Sequence, residues 1–264
     1  MKDFTLISYR RLILALKDAG YAFLPRVEFA NHQGEKVVCL RHDVDLRAAN
    51  SLRTAQLEHE LGVRATYYFR VVPESNQPDI IRAIADLGHE IGYHYEDMSI
   101  ADGNVQAAYA HFCEQLAYFR TFYPVRTICM HGAPTSRYDG RDLWRTFDYH
   151  SLDITCEPYL DLDYARVFYL TDTGRSWDGY NVSVRDKIPV YQDEWIRRGL
   201  AFHSTEQIVN ALRDEHSPLR LMSESVLITT HPQRWTDQSG LWLRELLLQS
   251  AKNVVKRLLI RLRK

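Results

Sequence analysis

The stretch "KVVCLRHDVDL", residues 36–46, decides the fold class of this chain. An apolar run that is typical of a buried strand leads directly into a histidine and two aspartates. Because side chains alternate along a strand, Asp43 and Asp45 point to one side while His42 and Val44 point to the other. Two carboxylates at the end of a buried strand repel each other and lose solvation, and a bound cation would offset both effects. The stretch therefore predicts a strand that ends at a metal site, and the alternative is a pair of solvated loop aspartates.

The same pattern recurs along the chain and predicts an α/β fold. Helical patterns alternate with further apolar runs, which lie at residues 64–72, 89–97, 125–134 and 225–235. This alternation is typical of a parallel sheet that is covered by helices. Between about residue 133 and residue 200 the periodicity weakens, which predicts loops and short hairpins over a functional site.

Composition and charge limit the class of protein. The chain has 264 residues, of which 45% are hydrophobic and 25% charged, and this profile predicts one globular domain over residues 1–264. Lys and Arg total 33 against 34 acidic residues, so no excess of positive charge indicates a nucleic-acid partner. The four cysteines show no Cys-x-x-Cys pairing, and the N-terminal sequence resembles neither a signal peptide nor a membrane span. These features predict a cytoplasmic protein with reduced thiols.

Both ends of the chain predict amphipathic helices. At the N-terminus, apolar residues recur at three- and four-residue spacing before Gly20. Residues 241–264 carry seven basic residues and one acidic residue, and they predict a C-terminal helix over about residues 240–264. Two interpretations stay open: a helix docked on the body with a solvated face, or an interfacial helix in peripheral contact with an anionic membrane, on its inner face. The predicted apolar face comprises Leu247, Leu248, Ala251, Val254, Val255, Leu258 and Leu262, and Lys252, Lys256, Arg257, Arg263 and Lys264 lie around it.

Three histidines follow predicted strands. His94 ends the third apolar run, and His131 and His231 each end a later run and precede a proline. A neutral imidazole is a common ligand of divalent transition metals. Strand alternation separates His89 from His94, so His89 is expected to be structural. Because parallel strands end at the same edge of a sheet, we expect the three histidines to gather near the two aspartates.

These motifs together resemble a known family. "LRHDVDL", "LGHEIGYHYED" and "LITTHP" resemble the polysaccharide deacetylase superfamily, the NodB-like carbohydrate esterases, across residues 36–235. "CMHGAPTSRYDGRDLW" and "YLTDTGRSWDG" more closely resemble a branch that accompanies bacterial surface-polysaccharide genes. The resemblance implies a distorted (β/α)7 barrel with a Zn-type metal at its C-terminal mouth, here with an added helix at each end of the chain.

The resemblance also implies roles for individual residues. Asp43 matches the general base, Asp45 a metal-binding aspartate, His94 a metal-binding histidine and His231 the general acid. The implied metal is Zn²⁺, with Co²⁺, Ni²⁺, Mn²⁺ or Fe²⁺ as alternatives. The residues expected to contact the substrate are Arg41, His42, Asp172, Arg175 and Trp177. For the last three, the alternative is a turn with a packed tryptophan.

The chain departs from the superfamily in its second motif, where Met98 stands in place of a second histidine. A thioether is a poor ligand for Zn-type metals, so the third ligand has to come from elsewhere. We expect His131 to supply it, with Glu96 or Asp97 as alternatives. A continued strand favours Glu96 and a helical turn favours Asp97. His131 also occupies roughly the position of the superfamily's arginine that steadies the base.

These implications combine into a functional expectation. The chain is expected to be a metal-dependent hydrolase that removes an acyl group, chiefly N-acetyl, from a carbohydrate or from a lipid- or nucleotide-linked sugar during surface-polysaccharide synthesis. Asp43 would accept a proton from the attacking water, and His231 would protonate the departing amine or alcohol. Two alternatives stay open: a metal-free glycan-binding or scaffold module, and a metal hydrolase of another C–N bond.

Overall fold

The structure is a computed structural model that describes residues 2–32, 34, 36–132, 136–178, 183 and 188–262, with backbone only for residues 255–262. The chain divides into two compact units. The first unit comprises Met1–Phe23, Gln33–Val38 and Asp163–Lys264, and the second comprises Leu24–His32 and Cys39–Leu162. A single domain over residues 1–264 stays a prediction.

Seven strands occur among the described residues, and they alternate with helices. The strands are β1 (Ala22–Phe23), β2 (Val37–Val44), β3 (Thr66–Phe69), β4 (Glu90–Tyr95), β5 (Ile128–Met130), β6 (Val167–Thr171) and β7 (Ser225–Thr230). The helices are α1 (Leu6–Asp18), α2 (Arg26–Phe29), α3 (Ala48–Glu60), α4 (Pro78–Asp86), α5 (Asp97–Ile100), α6 (Val105–Phe119), α7 (Pro158–Asp161), α8 (Pro189–Arg197), α9 (Thr205–Arg213), α10 (Pro218–Leu221) and α11 (Ser239–Leu262). The predicted α/β fold class is confirmed.

In the second unit, strands that follow one another along the chain are parallel neighbours. Residues 41–44 of β2 pair with β3, β3 pairs with β4, and β4 pairs with β5. The register places Asp43 opposite Tyr68 and His94 opposite Cys129. Because all four strands run in one direction, the residues that follow them lie at one edge of the sheet. This edge brings the predicted aspartates and two of the predicted histidines together.

One glycine in this sheet allows a close approach of side chain to backbone. A Cβ atom at Gly92 would lie 2.3 Å from the ring of Tyr68 on the neighbouring strand. The Tyr68 ring crosses that space, and its hydroxyl donates to Thr127 Oγ1 at 2.9 Å. Any larger residue at position 92 would displace this buried ring or part the two strands.

The first unit pairs β6 with β7 in parallel, from Val167 opposite Ser225 to Thr171 opposite Thr229. It also contains α1, which packs against α9. Both helices begin with a capping box, at Thr5 and at Ser204. The predicted N-terminal helix is therefore confirmed, and its buried residues Tyr9, Leu12, Ile13 and Leu16 lie at the predicted helical spacing.

The region predicted as loops and hairpins contains regular elements that the periodicity did not indicate. Strand β6 lies within it, and all five of its residues are buried. A strand that is buried on both sides shows no alternation of polar and apolar residues. In the sequence, β6 was therefore not distinguishable from the aromatic residues around it. Helix α8 also lies in this region. The expectation of loops between residues 133 and 200 is wrong for these two segments.

The predicted C-terminal helix is present as α11. Among the described residues, no helix combines the length and the apolar character that crossing a membrane requires. Part of its predicted surface lies outside the described side chains: Val255, Lys256, Arg257, Leu258, Leu262, Arg263 and Lys264.

Candidate metal centre

The first carboxylate of the Asp-x-Asp motif is held by an arginine of the same strand. Arg41 and Asp43 lie two residues apart on β2, so their side chains share one side of the sheet. Arg41 Nε donates to Asp43 Oδ1 at 2.8 Å, and Nη2 donates to Oδ2 at 2.6 Å. Both residues are buried. A bidentate guanidinium neutralises the buried carboxylate and fixes its orientation.

His94, near the end of β4, presents a lone pair to both aspartates. Its Nδ1 lies 2.9 Å from the carbonyl oxygen of Cys129. A carbonyl only accepts, so Nδ1 carries the proton and the neutral ring has its lone pair on Nε2. Nε2 lies 3.6 Å from Asp43 Oδ2 and 3.6 Å from Asp45 Oδ1. The paired strand β5 therefore sets both the tautomer and the direction of the ring.

His131 follows β5 directly and is oriented in the same way. Its Nδ1 lies 2.9 Å from Glu96 Oε2, and Glu96 accepts three charge-assisted hydrogen bonds from Arg70 at 2.9, 2.7 and 2.9 Å. Since a carboxylate also only accepts, Nδ1 of His131 is the protonated nitrogen. Its Nε2 lies 3.6 Å from Asp45 Oδ1. Glu96 and Arg70 thus aim His131 at the same oxygen that His94 faces.

Asp45, His94 and His131 form what we call the Asp45 cluster, with one ligand atom from each residue within 4.8 Å of the others. Two imidazole lone pairs face a carboxylate, and their separations from it are too long for direct hydrogen bonds. Atoms bound to one tetrahedral ion at about 2.1 Å are roughly 3.4 Å apart, close to these distances. The donor set and its spacing suit a divalent metal ion. The structure therefore brings together the three residues predicted as metal ligands.

The protonation states in the cluster suit ligation. Burial lowers the pKa of His94 to about 4, against the opposing charges of Asp43 and Asp45, so its ring is neutral at pH 7. Burial alone would raise the pKa of Glu96, but the hydrogen bond from His131 and the charge and hydrogen bonds of Arg70 lower it to about 2. A carboxylate that accepts from Nδ1 of a ligating histidine raises the basicity of the ring. Glu96 is placed to do this for His131.

The two alternative third ligands take other positions. Glu96 lies behind His131 and is engaged by it and by Arg70. Asp97 is buried and accepts hydrogen bonds from the Tyr93 hydroxyl at 2.9 Å and from His111 Nδ1 at 2.5 Å. Because α5 begins at Asp97, the chain turns this side chain away from the cluster. Neither Glu96 nor Asp97 belongs to the groups of ligand atoms found among the described residues, and Glu96 contacts His131 in a way that the sequence did not reveal.

A second group of possible ligand atoms overlaps the first. Asp43, His94 and Cys129 also lie within 4.8 Å of one another, and all three are buried. Both oxygens of Asp43 already accept from Arg41. A metal at this group would therefore have to compete with a guanidinium for the same carboxylate. The Asp45 cluster is the better ligand set for this reason.

The first unit contains another histidine with a carboxylate, which we call the Asp172 cluster: Asp172, His231, Arg234 and Trp235. Asp172 follows β6, and His231 follows the neighbouring strand β7. His231 Nδ1 lies 2.6 Å from Asp172 Oδ1, which Arg234 Nη1 approaches at 2.5 Å. The other oxygen, Oδ2, accepts from the His231 backbone at 2.9 Å and from the Trp235 indole at 2.7 Å. This network fixes the imidazole of His231.

The charges in the Asp172 cluster keep the aspartate ionised. Burial alone would raise the pKa of Asp172, but the charges of Arg234 and His231 and the hydrogen bonds from His231 lower it below its usual value. An ionised Asp172 only accepts, so Nδ1 of His231 carries a proton. Asp172 was predicted to contact a sugar. The prediction does not fit this placement, because Asp172 is fully buried and orients His231 instead.

Comparisons with known proteins were made at three levels. No protein-family model matches the chain, and no curated protein matches it. A solved family 4 carbohydrate esterase from Streptomyces lividans, in complex with acetate, is similar at 14% identity, with a TM-score of 0.44 over 84% of this chain and 90% of that chain. A polysaccharide deacetylase from Bacillus cereus is similar at 13% identity, with a TM-score of 0.42 over 82% of this chain and 87% of that chain.

A third similar structure is a pseudoenzyme of carbohydrate esterase family 4 from Bacillus anthracis, at 13% identity and a TM-score of 0.40. The match covers 84% of this chain and 63% of that chain. Similarity at this level assigns neither an activity nor a residue role to the chain.

His42, another residue predicted to contact substrate, lies in the core of the second unit. Its Nε2 lies 2.7 Å from Glu58 Oε1, and its ring stacks on Tyr67 with 4.2 Å between centroids. Glu58 also accepts from the Tyr67 hydroxyl at 2.6 Å. Strand alternation puts His42 on the side of β2 away from Asp43. A substrate contact does not fit this placement, and the contacts indicate a structural role.

Arg175 and Trp177 were predicted to hold a sugar, and both have partners within the first unit. Trp177 is buried, and its indole donates to Thr205 Oγ1 at 2.9 Å. Arg175 Nη1 donates to the carbonyl of Trp242 at 2.9 Å, and its guanidinium lies 4.5 Å from the centre of the Trp242 ring. Trp177 is thus a core residue, and Arg175 anchors helix α11. The predicted sugar contacts do not fit either placement.

Arg41 was also predicted to bind substrate, and it is instead the partner of Asp43. A signal for this was available, because an arginine two residues before a strand aspartate lies on the same side of the strand. No comparable signal was available for Glu96 or Asp172, since their histidine partners lie 35 and 59 residues away in sequence.

Proposed function

We propose that this chain is a metal-dependent hydrolase that removes an acyl group, chiefly N-acetyl, from a carbohydrate. The observation that carries the proposal is the Asp45 cluster beside a second carboxylate, Asp43, which Arg41 holds in a fixed orientation. Such an arrangement suits hydrolysis. The Asp45 cluster could hold a metal that binds an acyl carbonyl, while Asp43 accepts a proton from water. The carbohydrate is proposed from the motifs at residues 40–46, 87–97 and 227–232, which resemble those of the polysaccharide deacetylases.

Asp45, His94 and His131 would hold the metal. When bound, a divalent ion such as Zn²⁺ polarises an acyl carbonyl and makes a nearby water more acidic. One carboxylate oxygen and two imidazole nitrogens are a donor set that Zn²⁺ accepts, and Co²⁺, Ni²⁺, Mn²⁺ and Fe²⁺ accept it as well. We propose Zn²⁺ as the metal of the active protein.

Asp43 would act as the general base. Its Oδ2 lies 3.6 Å from His94 Nε2, at the margin of the Asp45 cluster. The bidentate pair with Arg41 holds the carboxylate in one orientation for proton transfer from an attacking water. Arg41 is therefore a positioning residue in this proposal. In the superfamily another arginine steadies the base, and His131 roughly occupies its position here. Arg41 would supply that function instead.

His231 would protonate the departing amine or alcohol. Its Nδ1 donates to Asp172, so the imidazolium is stabilised by a carboxylate and offers its proton from Nε2. Arg234 and Trp235 hold that carboxylate in turn. This assignment rests on the sequence resemblance and on the contacts within the Asp172 cluster.

We further propose a substrate and a cellular location. The substrate would be a lipid- or nucleotide-linked amino sugar used in bacterial surface-polysaccharide synthesis, since the branch that the motifs resemble accompanies such genes. The reaction would take place in the cytoplasm. Cys39, Cys129 and Cys156 are buried thiols that form no disulfide, which suits a compartment that keeps thiols reduced.

The test measures metal content and acetate release together. Purified protein is loaded with Zn²⁺, its metal content is measured by mass spectrometry, and acetate is assayed with nucleotide-linked and lipid-linked N-acetyl sugars. We expect one bound ion per chain, and in Asp43→Asn a rate lower by about 100- to 10,000-fold with the metal retained. Asp79→Asn, the same change on an exposed helix, is the matched control and should release acetate like wild type.

Two results would contradict the proposal. Wild-type acetate release by Asp43→Asn would remove the assigned base. A chain that binds glycans but takes up no stoichiometric metal and releases no acetate would be a binding module instead. Thermal melting of each variant shows whether a lost activity reflects a lost fold.

A further inference from the structure

Helix α11 docks within the first unit through its polar side. Glu245 and Gln249, four residues apart on one helix face, are 7% and 4% exposed. Gln249 Nε2 donates to Asn253 Oδ1 at 2.7 Å, and Asn253 Nδ2 donates to the carbonyl of Gly174 at 2.8 Å. Arg175 holds the first turn through the Trp242 carbonyl. The inward face therefore carries polar side chains beside the half-buried Trp242 and Leu246, and it is more polar than the buried face of an ordinary amphipathic helix in a soluble domain.

The opposite side of α11 is apolar and exposed. Leu243, Leu247 and Val254 are 51%, 63% and 57% exposed, and Ala251 is also exposed. Their spacing of four, four and three residues forms one stripe, roughly 180° around the helix from Glu245 and Gln249 at about 100° per residue. Single exposed apolar residues are ordinary, but a continuous stripe along a helix marks an interaction surface. We call these four residues the apolar stripe.

The charge around the apolar stripe has one sign. The last 24 positions contain seven of the 33 basic residues and one of the 34 acidic residues of the chain. That one acid, Glu245, is buried on the docked face, whereas Arg244 and Lys252 are exposed. An anionic lipid surface accepts apolar side chains and attracts basic residues at the same time. A second copy of the chain would instead bring two basic helices together.

We propose that α11 is an interfacial helix that binds the surface of anionic membranes. The apolar stripe enters the boundary between headgroups and acyl chains, and Arg244 and Lys252 lie near the lipid phosphates. The proposal rests on α11 alone and does not depend on the proposed hydrolase activity. It takes up the second of the two interpretations that the C-terminal sequence left open.

The test is co-sedimentation of the full-length protein with vesicles. Vesicles of phosphatidylcholine alone are compared with vesicles that contain 30% phosphatidylglycerol, an amount on the order of that in anionic membranes. We expect partitioning at least about tenfold stronger on the anionic vesicles, and weaker binding at high salt. In the double variant Leu247→Glu with Val254→Glu, binding should fall by at least about tenfold, because each change places a charge in the apolar stripe.

The matched control carries the same two changes elsewhere in the first unit. Leu221 and Val190 are 67% and 81% exposed, so Leu221→Glu with Val190→Glu adds the same charge without touching α11. This control should bind like wild type, and circular dichroism should show that both variants are folded. Equal binding by the two double variants, or no preference for anionic vesicles in the wild type, would overturn the proposal. A dimer in lipid-free buffer that only the α11 variant abolishes, with no vesicle binding, would identify a second copy as the partner and overturn it as well.

Discussion

The Asp45 cluster and the Asp172 cluster use the same residue types at different distances. In the Asp172 cluster, His231 Nδ1 lies 2.6 Å from the carboxylate, which also accepts from Arg234 and Trp235. In the Asp45 cluster, the two histidine nitrogens that face Asp45 are both 3.6 Å from it. One aspartate is enclosed by donors, and the other is faced by lone pairs.

The difference follows from which ring nitrogen faces the carboxylate. His231 presents its protonated Nδ1 to Asp172, so the two groups bond directly, which suits the proton transfer proposed for His231. His94 and His131 donate their Nδ1 protons to Cys129 and Glu96, so that Nε2 faces Asp45. A histidine beside an aspartate is thus an acid–base group or a metal ligand according to what its other nitrogen contacts.

The largest expected effect on stability is in the Asp172 cluster. Asp172→Asn leaves the buried charge of Arg234 without its carboxylate, and we expect the free energy of unfolding to fall by about 3 kcal/mol or more. The pKa of Asp172 is lowered in the folded state. Its contribution is therefore fully present above about pH 4 and is lost as the pH falls further. Urea unfolding from pH 7 to pH 3 should show a wild-type advantage that shrinks only at the acid end.

The control for this prediction is Asp79→Asn, which removes an exposed carboxylate. Its stability should stay close to that of the wild type over the same pH range. A wild-type advantage over Asp172→Asn that does not change below pH 4 would show that Asp172 is not the ionised centre of its cluster.

Metal affinity should separate the two clusters. His94→Ala removes one of the three proposed ligands, and we expect the dissociation constant for Zn²⁺ to rise by more than about 100-fold. This is a larger effect than that of losing a residue that only orients a ligand. His231→Ala should leave the constant within about twofold, because His231 already bonds to Asp172. Titration against a coloured chelator measures both variants. A loss of affinity in His231→Ala equal to that in His94→Ala would end the distinction between the clusters.

Glu96→Gln tests the orientation of one ligand. The amide keeps the shape of the side chain but loses the negative charge of Glu96, to which Arg70 and His131 both donate hydrogen bonds. We expect Zn²⁺ affinity to fall by about tenfold, as is usual when a group behind a metal ligand is changed. The matched variant is Glu114→Gln on α6, which should not change affinity. Unchanged affinity in Glu96→Gln would show that Glu96 does not act through His131.

Arg41→Lys tests the positioning of the proposed base. Lysine keeps the charge but cannot form the bidentate pair with Asp43. We expect kcat for acetate release to fall by about fivefold to tenfold, with KM and Zn²⁺ affinity unchanged. Arg41→Ala should lose more activity than Arg41→Lys. Equal loss in both variants, or a change that appears only in KM, would favour the earlier prediction that Arg41 contacts the substrate.

The smallest expected effect concerns the alternative ligand group. Cys129→Ser removes the thiol that lies near Asp43 and His94. Because Asp43 is engaged by Arg41, we expect Zn²⁺ affinity to stay within about twofold of the wild type. The chelator titration used for His94→Ala applies here as well. A loss of tenfold or more would move the metal from the Asp45 cluster to the group that contains Cys129.

Most of the fold was predictable, and much of the site was not. The strand that carries Asp43 and Asp45 was recognised because "KVVCL" is a continuous apolar run. Strand β6 was missed, although it is as apolar as "KVVCL", because aromatic residues lie on both sides of it. The sequence therefore did not show where the strand begins and ends. His131 was predicted as the third ligand from the poor ligand chemistry of Met98, and the structure places it within the Asp45 cluster.

The partners of the histidines required the folded chain. Glu96 lies 35 residues from His131, and Asp172 lies 59 residues from His231. A hydrogen bond between such residues depends on strand register and on where each strand ends, which no local pattern contains. Asp97 was an open alternative for the same reason, since only the start of α5 decides which way it points.

On its own, the sequence determined the alternation of strands and helices, the residue types at the strand ends and the excess of basic residues at the C-terminus. These properties are local, because they depend on side-chain periodicity and on charge along the chain. The tertiary structure decided which nitrogen of each histidine faces a carboxylate and which face of α11 is buried. Both depend on contacts between segments that are far apart in sequence, and in α11 those contacts favour the polar side because Gly174 and Arg175 offer hydrogen bonds there.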